Sequence, residues 1–328
     1  MPEKTTLAAF CKALKKYDHF LLSCHVSPEG DAIGSILAVD SLLRRLGKKT
    51  TVVCEDAFPE RLSCLSDKRW QRVRDIKKPA SHFKALVVTD CPTLERIGTV
   101  NKLLTPQTKI FNIDHHISNE LFGHYNYLRP EAAACGEVVV DIFKYFHLPL
   151  RRDEATNLYV ALSTDTGSFK YSNTTVHCHR IAAELIATGI DIEKINDELY
   201  ATYSLNKINL YSRLLARVKT RSKGRVAWVG MKRNDLAESG ATYEDTEGFI
   251  DFLKYLKEVQ VAFFMSEMRE PKKVRVSFRS KGHYDVNKIA TFFKGGGHKK
   301  ASGCVIQGSL QHAEAMILSR LKKVYRFS

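Results

Sequence analysis

The amino-acid sequence predicts an α/β protein with a larger parallel-sheet domain followed by a smaller α/β domain. Apolar runs of strand length alternate with helical segments over the first half, which is typical of a parallel sheet. A Lys- and Arg-rich stretch without Gly or Pro follows, and a second alternation begins at Arg225. A chain of 328 residues also has the length of about two domains. We therefore expect domains at 1–190 and 224–328, joined by a helical connector at 191–223.

Each predicted element has a sequence pattern behind it. In the first domain, short apolar runs bounded by polar turn residues predict strands at 19–26, 50–54, 85–89 and 109–113. Helical periodicity predicts helices at 32–46, 136–146, 153–163 and 175–188. In the second domain, the same criteria predict strands at 226–231, 259–268 and 273–278, and helices at 247–256, 285–293 and 311–325.

Composition restricts the partners and the location. The net charge of +15 favours a polyanion, either a nucleic acid, a nucleotide or an anionic membrane surface, unless it reflects a host with basic proteins. No apolar run approaches the roughly 18 residues of a membrane span, so we expect no membrane insertion. Eight scattered cysteines without a CxxC pair, and no export pattern at the start, indicate free thiols in the cytoplasm.

Acids and histidines follow the ends of the predicted strands. They are His25, Glu29 and Asp31 after the first strand, Asp90 after the third, Asp114, His115 and His116 after the fourth, and Asp165 after a later helix. Singly, such residues are usually turn or capping residues. The carboxyl ends of parallel strands converge, however, and clustered carboxylates repel one another unless cations neutralise them. Mixed imidazole and carboxylate ligands suit Mn²⁺, and zinc or Fe²⁺ less decisively, and two such ions about 3.5–4 Å apart hydrolyse phosphoesters.

These residues lie within motifs that resemble those of a known family. The segments His25-Val26-Ser27-Pro28-Glu29-Gly30-Asp31, Thr89-Asp90, Asp114-His115-His116 and Thr164-Asp165-Thr166-Gly167 resemble, in order, four motifs of the DHH phosphoesterase superfamily. The segment Gly295-Gly296-Gly297-His298, with Ala301-Ser302-Gly303, resembles the DHHA1 domain. The nearest similarity is to the NrnA-like group, which degrades very short RNAs and removes phosphate from 3′-phosphoadenosine 5′-phosphate (pAp).

The resemblance implies a role for each residue. One metal would be held by His25, Glu29 and Asp90, and the other by Asp31, Asp90, His115 and Asp165. His116 would face the substrate phosphate, and Asp114 would orient the histidines. The family usually has Asp where this chain has Glu29. Because the Glu side chain is one methylene longer, we expect this difference to affect which metal ion is preferred.

The resemblance also assigns substrate contacts to the second domain. The glycine run Gly295-Gly296-Gly297 lets an anion approach the backbone amides, and His298 follows it. Arg279 and Ser280 end a predicted strand, and an arginine fork suits a terminal phosphate. We expect these residues to bind the nucleotide in a cleft between the two domains, away from the bond that breaks.

The predicted function is hydrolysis of short oligoribonucleotides, about two to five nucleotides, to mononucleotides, and also of pAp at its 3′-phosphate. Two divalent ions are expected, with Mn²⁺ favoured over Mg²⁺ or Co²⁺. Three alternatives stay open: a cyclic or linear dinucleotide phosphodiesterase, an inorganic pyrophosphatase, and a nucleotide-binding module with impaired catalysis. The expected partners are short single-stranded RNA or nucleotides such as pAp, with no evident protein partner and a homodimer left open.

Overall fold

The computed structural model describes residues 3–65, 68–77, 79–201, 203–325 and 327. The chain divides into two compact units, Met1–Thr202 and Tyr203–Ser328. This boundary falls inside the segment 191–223 that the sequence predicts as a connector. Within the described residues, no helix has the length and apolarity needed to cross a membrane.

The first unit is built on a sheet of six parallel strands. They are β1 (Phe20–Cys24), β2 (Thr50–Cys54), β3 (Trp70–Arg72), β4 (Ala85–Thr89), β5 (Lys109–Asp114) and β6 (Tyr125–Leu128). Their order across the sheet is β3-β2-β1-β4-β5-β6. Strands are added towards one edge from β1 to β3 and towards the other edge from β4 to β6, so the strand order reverses between β1 and β4. In open α/β sheets the ligand crevice lies at that reversal, beyond the carboxyl ends of the strands.

Helices of the first unit cover the sheet on the side of its main core. They are α1 (Leu7–Lys16), α2 (Gly30–Arg45), α3 (Cys135–Tyr145), α4 (Arg152–Asp165), α5 (Val176–Ile186) and α6 (Ile192–Asn196). Sequence analysis missed α1, although Thr6 accepts a hydrogen bond from the amide of Ala9 at its start and Phe10 and Leu14 are fully buried. It also missed the edge strands β3 and β6, because runs of three and four residues give little periodicity to detect.

The second unit contains a mixed sheet of six strands in the order β11-β12-β10-β9-β8-β7. Its strands are β7 (Lys219–Arg221), β8 (Val226–Met231), β9 (Val261–Glu267), β10 (Lys273–Ser280), β11 (Gly296–Gly297) and β12 (Ala301–Gln307). Its helices are α7 (Leu205–Leu215), α8 (Arg233–Ser239), α9 (Phe249–Tyr255), α10 (Asn287–Phe292) and α11 (Leu310–Tyr325). Among the strands given, β8 and β9 pair in parallel and the other neighbours pair antiparallel. Two apolar cores form, one with α10 and α11 and one with α7, α8 and α9.

The segment predicted as a connector also differs from the sequence-based expectation. The stretch 191–223 is not one helix, since it holds α6, a wide turn at Asp197–Ala201, α7 and β7. Strand β12 was also missed, although Ser302, Cys304 and Ile306 alternate with more exposed residues in the pattern of a strand with one buried face. The eight cysteines are free thiols, in agreement with the expectation from their spacing.

Candidate metal centre

The carboxyl ends of β1, β4 and β5 bring three imidazoles around one carboxylate. Asp90 follows β4, and its Oδ2 lies 3.5 Å from Nε2 of His25, which follows β1. Its Oδ1 lies 3.5 Å from Nε2 of His115 and 3.5 Å from Nδ1 of His116, both of which follow β5. Asp90 therefore occupies the centre of the site, where sequence analysis places a bridging ligand.

His115 faces three carboxylates with one nitrogen. Its Nε2 lies 3.7 Å from Oδ2 of Asp31, 3.5 Å from Oδ1 of Asp90 and 3.6 Å from Oδ2 of Asp165. Its Nδ1 lies 3.2 Å from the carbonyl oxygen of Ala132, to which it donates a hydrogen bond. The neutral ring then carries a lone pair on Nε2, directed among carboxylate oxygens. A cation among these groups would neutralise the mutual repulsion of the three carboxylates, so the donor set fits a divalent metal.

His25 has the same arrangement on the other side of Asp90. Its Nδ1 lies 2.8 Å from the carbonyl oxygen of Val26, and its Nε2 faces Asp90. A backbone carbonyl that accepts from one ring nitrogen and leaves the other for a ligand is the usual arrangement of a metal-binding histidine. His25 thus has the donor arrangement that a divalent metal ion requires.

Asp31 is fixed by the start of a neighbouring helix. The carboxylate accepts hydrogen bonds from the amides of Cys135 (2.6 Å) and Gly136 (2.9 Å), which begin α3. The hydroxyl of Ser35 donates a further bond to it at 3.0 Å. Because amides at a helix start carry partial positive charge, they hold this buried carboxylate in one orientation.

Close packing of two helices brings Asp165 into the site. Added Cβ atoms at Gly30 and Gly34 on α2 would lie 2.5 Å from the side chain of Thr164 and 2.2 Å from the carbonyl oxygen of Asn157, both on α4. The helices can therefore approach this closely only because α2 carries glycine there. As a result the last residue of α4, Asp165, lies beside the first turn of α2.

Asp90 has two features that point to a bound cation. Its backbone has a φ of 54°, in the left-handed region, and such strain is concentrated at functional sites. Its Oδ1 is buried and accepts no hydrogen bond from any residue that the structure describes. A buried carboxylate oxygen without a donor is costly, and a metal ion supplies the missing partner.

The electrostatics of the metal-free cluster lead to the same conclusion. Burial raises the pKa of Asp31 well above its ordinary value and raises that of Asp165 to about 6, with the charge of Asp90 contributing to both. Burial also opposes ionisation of Asp90, but the imidazoles of His115 and His25 outweigh it and lower its pKa. Burial disfavours the His115 cation, yet Asp90, Asp165 and Asp31 together raise its pKa well above the usual range. Without a metal, the cluster must therefore hold extra protons.

Asp114 forms hydrogen bonds that hold His115 and His116 in position. It is fully buried, and its Oδ1 accepts bonds from the amide of His115 (2.8 Å) and from Nδ1 of His116 (2.8 Å). The amide of Asn119 donates to its Oδ2 at 2.5 Å and to the side chain of Asn112 at 2.8 Å. Sequence analysis missed Asn119, although its position five residues after Asp114 in a short loop was available as a hint.

Glu29 has a looser connection to the cluster. It precedes the first residue of α2 and is exposed, and its side chain makes no capping hydrogen bond. Two groups of potential ligand atoms form among the described residues, and neither contains Glu29 or His25: they are Asp90, Asp114, His115 and His116, and Asp31, His115 and Asp165. His25 joins the first group through Asp90, and the charge of Glu29 contributes to the raised pKa of Asp165. Ligation by Glu29 stays a prediction.

In the second unit, Arg279 and Ser280 end β10. The Nε of Arg279 lies 3.5 Å from Oδ1 of Asp251, and its side chain is 28% exposed. Ser280 is buried, and its hydroxyl donates to the carbonyl oxygen of Tyr284 at 2.7 Å, which closes the loop after the strand. Arg279 is thus accessible to a ligand, whereas the hydroxyl proton of Ser280 serves the fold.

The predicted glycine loop is the first strand of a hairpin. Gly296 and Gly297 form β11 and pair with Gly303 and Ser302 of β12, and the exposed His298 begins the turn. A Cβ at Gly295 would lie 2.1 Å from the carbonyl oxygen of Gly303, so backbone packing requires this glycine. Gly296 has open space beside it, which leaves its backbone approachable.

Comparisons with known proteins agree with this architecture. The profile of the DHH family, N-terminal domain, matches residues 19–162, and that of the DHHA1 domain matches residues 223–325. A crystal structure of an exopolyphosphatase-related protein from Bacteroides fragilis superimposes with a TM-score of 0.90 at 26% identity, covering 98% of this chain and 97% of that one.

Relatives from several bacteria carry the name bifunctional oligoribonuclease and PAP phosphatase NrnA. That of Thermus thermophilus is 29% identical over 305 residues, which cover 92% of this chain and 89% of the relative. That of Bacillus subtilis is 26% identical over 298 residues, which cover 90% and 91%. The chain therefore belongs to the DHH family of hydrolases and carries a DHHA1 domain, which confirms the family recognised from the sequence motifs.

Proposed function

We propose that this protein hydrolyses short oligoribonucleotides, about two to five nucleotides long, to mononucleotides in the cytoplasm, and that it also removes the 3′-phosphate of pAp. The observation that carries the proposal is the environment of His115, whose Nε2 faces carboxylates from three separate elements. The names of the Thermus thermophilus and Bacillus subtilis relatives support the choice of substrates.

Two divalent ions, with Mn²⁺ favoured, would be held by the residues around Asp90. His25, Glu29 and Asp90 would form one ligand set, and Asp31, Asp90, His115 and Asp165 the other. When bound, the ions supply charge neutralisation at the phosphate and activation of a water molecule. Mixed imidazole and carboxylate donors favour Mn²⁺ over Ca²⁺, which prefers oxygen donors throughout.

His116 is proposed to handle the proton of the leaving group. Its Nδ1 donates to the buried carboxylate of Asp114, so Nε2 is the ring nitrogen that would face a phosphate or leaving oxygen. Asp114 fixes the orientation of the ring, because its own oxygens are held by backbone amides and by Asn119. This arrangement assigns Asp114 a positioning role.

The second unit is proposed to bind the remainder of the nucleotide. Arg279 offers a charged fork, while Gly296 and His298 offer approachable backbone and an exposed ring. These groups would bind a phosphate or ribose that does not react, and Ser280, Gly295 and Gly297 shape the loop that presents them. Such contacts determine which phosphoesters are accepted, since the metal centre by itself only cleaves them.

The proposal is tested by one substrate panel with Mn²⁺. End-labelled RNAs of two to about ten nucleotides, pAp, cyclic and linear dinucleotides, and inorganic pyrophosphate are compared by kcat/KM. We expect the shortest RNAs to be preferred and pAp to be cleaved. Preference for a cyclic dinucleotide would replace the proposal by the phosphodiesterase alternative, and pyrophosphate cleavage alone would replace it by the pyrophosphatase alternative.

Variants of the metal centre separate catalysis from folding. Asp90→Asn and His115→Ala should remove hydrolysis of every substrate and weaken Mn²⁺ binding measured by calorimetry, while the circular dichroism spectrum stays native. Asp75→Asn, an exposed carboxylate outside the cluster, is the matched control and should retain both properties. Native activity in Asp90→Asn would contradict the proposed centre, and Mn²⁺ binding without hydrolysis of any panel member by the unmodified chain would favour the impaired binding module.

A further inference from the structure

A second charged cavity lies at the opposite end of the parallel sheet from the metal centre. It has a volume of about 390 Å³ and is lined by His19, Arg44, Lys48, Lys49, Thr50, Thr51, Arg69, His82 and Phe83. Residues 19, 49 and 83 come just before β1, β2 and β4, whereas the metal-centre residues follow the carboxyl ends of strands. A five-residue strand spans about 16 Å, so the two sites are separated by about the length of the strands.

The two arginine side chains of this cavity are held in place by a buried acid. Asp40 is 1% exposed, and its carboxylate accepts bonds from Nε of Arg44 at 3.0 Å and Nε of Arg69 at 3.1 Å. Arg69 also donates to the hydroxyl of Thr50 at 2.9 Å. The two guanidinium groups come from separate elements, and the shared carboxylate fixes them on one wall of the cavity.

The lining remains strongly positive after this pairing. Lys48 and Lys49 add two charges, and of the described residues that line the cavity none is an acid. Asp18 lies nearby but is already engaged, since it accepts the backbone amide of Lys49 at 2.7 Å. Four cations against two engaged carboxylates leave an excess that attracts a dianion such as a phosphate monoester.

The other wall of the cavity is aromatic. The rings of His19 and His82 meet edge to face with centroids 4.8 Å apart, and His82 contacts Phe83 at 5.3 Å. A smaller adjoining cavity of about 360 Å³ shares His19 and His82 and adds Lys84. Planar rings beside a cationic wall suit a ligand that joins an aromatic base to a phosphate, and both volumes fall in the range of small-molecule sites.

We propose that this cavity is a second, non-catalytic site that binds a nucleoside monophosphate, with the phosphate on the Arg44, Arg69 and Lys49 side and the base against His19 and His82. The inference does not depend on the reaction at the metal centre, because the two sites share no residue. It does explain why the first unit concentrates cations at the end of the sheet that lies away from the metal centre.

The test is calorimetric titration of the full chain in EDTA, so that no metal ion recruits phosphate. The probes are AMP, inorganic phosphate, adenosine and a ten-nucleotide RNA. We expect AMP to bind, phosphate to bind more weakly, and adenosine to show no binding at the same concentration. The double variant Lys48→Gln/Lys49→Gln should weaken AMP binding at least about tenfold, whereas Lys12→Gln, an exposed lysine of α1 outside the cavity, should change it less than about twofold.

Several outcomes would overturn the proposal. AMP binding that survives in Lys48→Gln/Lys49→Gln but disappears in Arg279→Ala would place the nucleotide on the second unit. No AMP binding at millimolar concentration would exclude the site. Selective binding of a ten-nucleotide RNA, lost in the double variant, with no binding of AMP, would identify the same face as an RNA-binding surface. Arg69→Lys provides a second check, since it keeps the charge but loses the fork and should weaken phosphate binding without unfolding the chain.

Discussion

Replacing Gly34 by alanine tests whether the contact between α2 and α4 sets the geometry of the metal centre. An added Cβ would lie 2.2 Å from the carbonyl oxygen of Asn157, and real contacts of this kind are essentially never below 3.0 Å. The helices must therefore separate by at least about 0.8 Å, which moves Asp165 on α4 away from Asp31 on α2. A displacement of about 1 Å at a catalytic site can cost about 100-fold in rate.

The expected cost in stability is smaller than the cost in activity. Overpacking typically costs about 1–3 kcal/mol, and the better helix propensity of alanine returns about 1 kcal/mol. A net loss of about 0–2 kcal/mol leaves a domain of ordinary stability folded. We expect Gly34→Ala to keep a cooperative thermal transition while kcat/KM for a diribonucleotide falls about 100-fold and Mn²⁺ affinity drops.

Gly230→Ala is the control for this experiment. It makes the same chemical change on β8, where the added Cβ meets the side chain of Leu310 at an ordinary 3.4 Å. Its activity should stay within about twofold of the unmodified chain. If Gly34→Ala were folded and kept its activity within about threefold, the spacing of α2 and α4 would not control the site, and the placement of Asp165 would need another cause.

Four further predictions concern individual side chains. Asn119→Ala should lower kcat with little change in Mn²⁺ affinity, because it releases the carboxylate that orients the proton-handling histidine; an unchanged kcat would rule out this positioning role. Glu29→Gln should raise the Mn²⁺ concentration needed for half-maximal activity while kcat at saturating Mn²⁺ changes little, and an unchanged Mn²⁺ requirement would argue against ligation. Arg279→Ala should raise KM for short RNA more than it lowers kcat, whereas Arg275→Ala on the same strand should not; equal effects would assign Arg279 no special contact. Calorimetry should show Mn²⁺ affinity falling as the pH drops through the raised pKa of His115 and then through about 6. Neither protonated group ligates: Asp90, Asp165 and Asp31 outweigh burial and raise the pKa of His115 well above its ordinary value, and burial raises the pKa of Asp165 to about 6. The raised pKa of Asp165 also predicts that this carboxyl stabilises the metal-free fold at low pH and that its contribution is lost as the pH rises from about 4 through 6, so a pH-independent melting temperature and affinity would refute it.

Strand identity and the positions of the candidate ligands could be read from sequence because both depend on local pattern. Short, mostly apolar segments of five residues specify β1, β2 and β4, and after β1 and β4 the chain continues into a polar residue, His25 or Asp90. Each of these features lies within about ten consecutive residues. Helix α1, which begins at Leu7, was not predicted because it is short and its buried face contains few apolar residues.

The order of the strands, and therefore the meeting of the ligands, was decided only by the tertiary structure. The reversal between β1 and β4 places His25 beside Asp90, although 64 residues of chain separate them. For Asp165 the sequence offered only the resemblance of its segment to a family motif, because its approach to the same point depends on the absence of side chains at two glycines of another helix.

The sequence by itself therefore determined which residues have metal-binding chemistry and which family they belong to, since residue types and motif order are written along the chain. Only the tertiary structure decided that His115 faces three carboxylates, that Asn119 supports Asp114, and that cations gather at the far end of the sheet. The physical reason is that residue chemistry is local, whereas the distances that turn it into a site arise from packing between elements far apart in the chain.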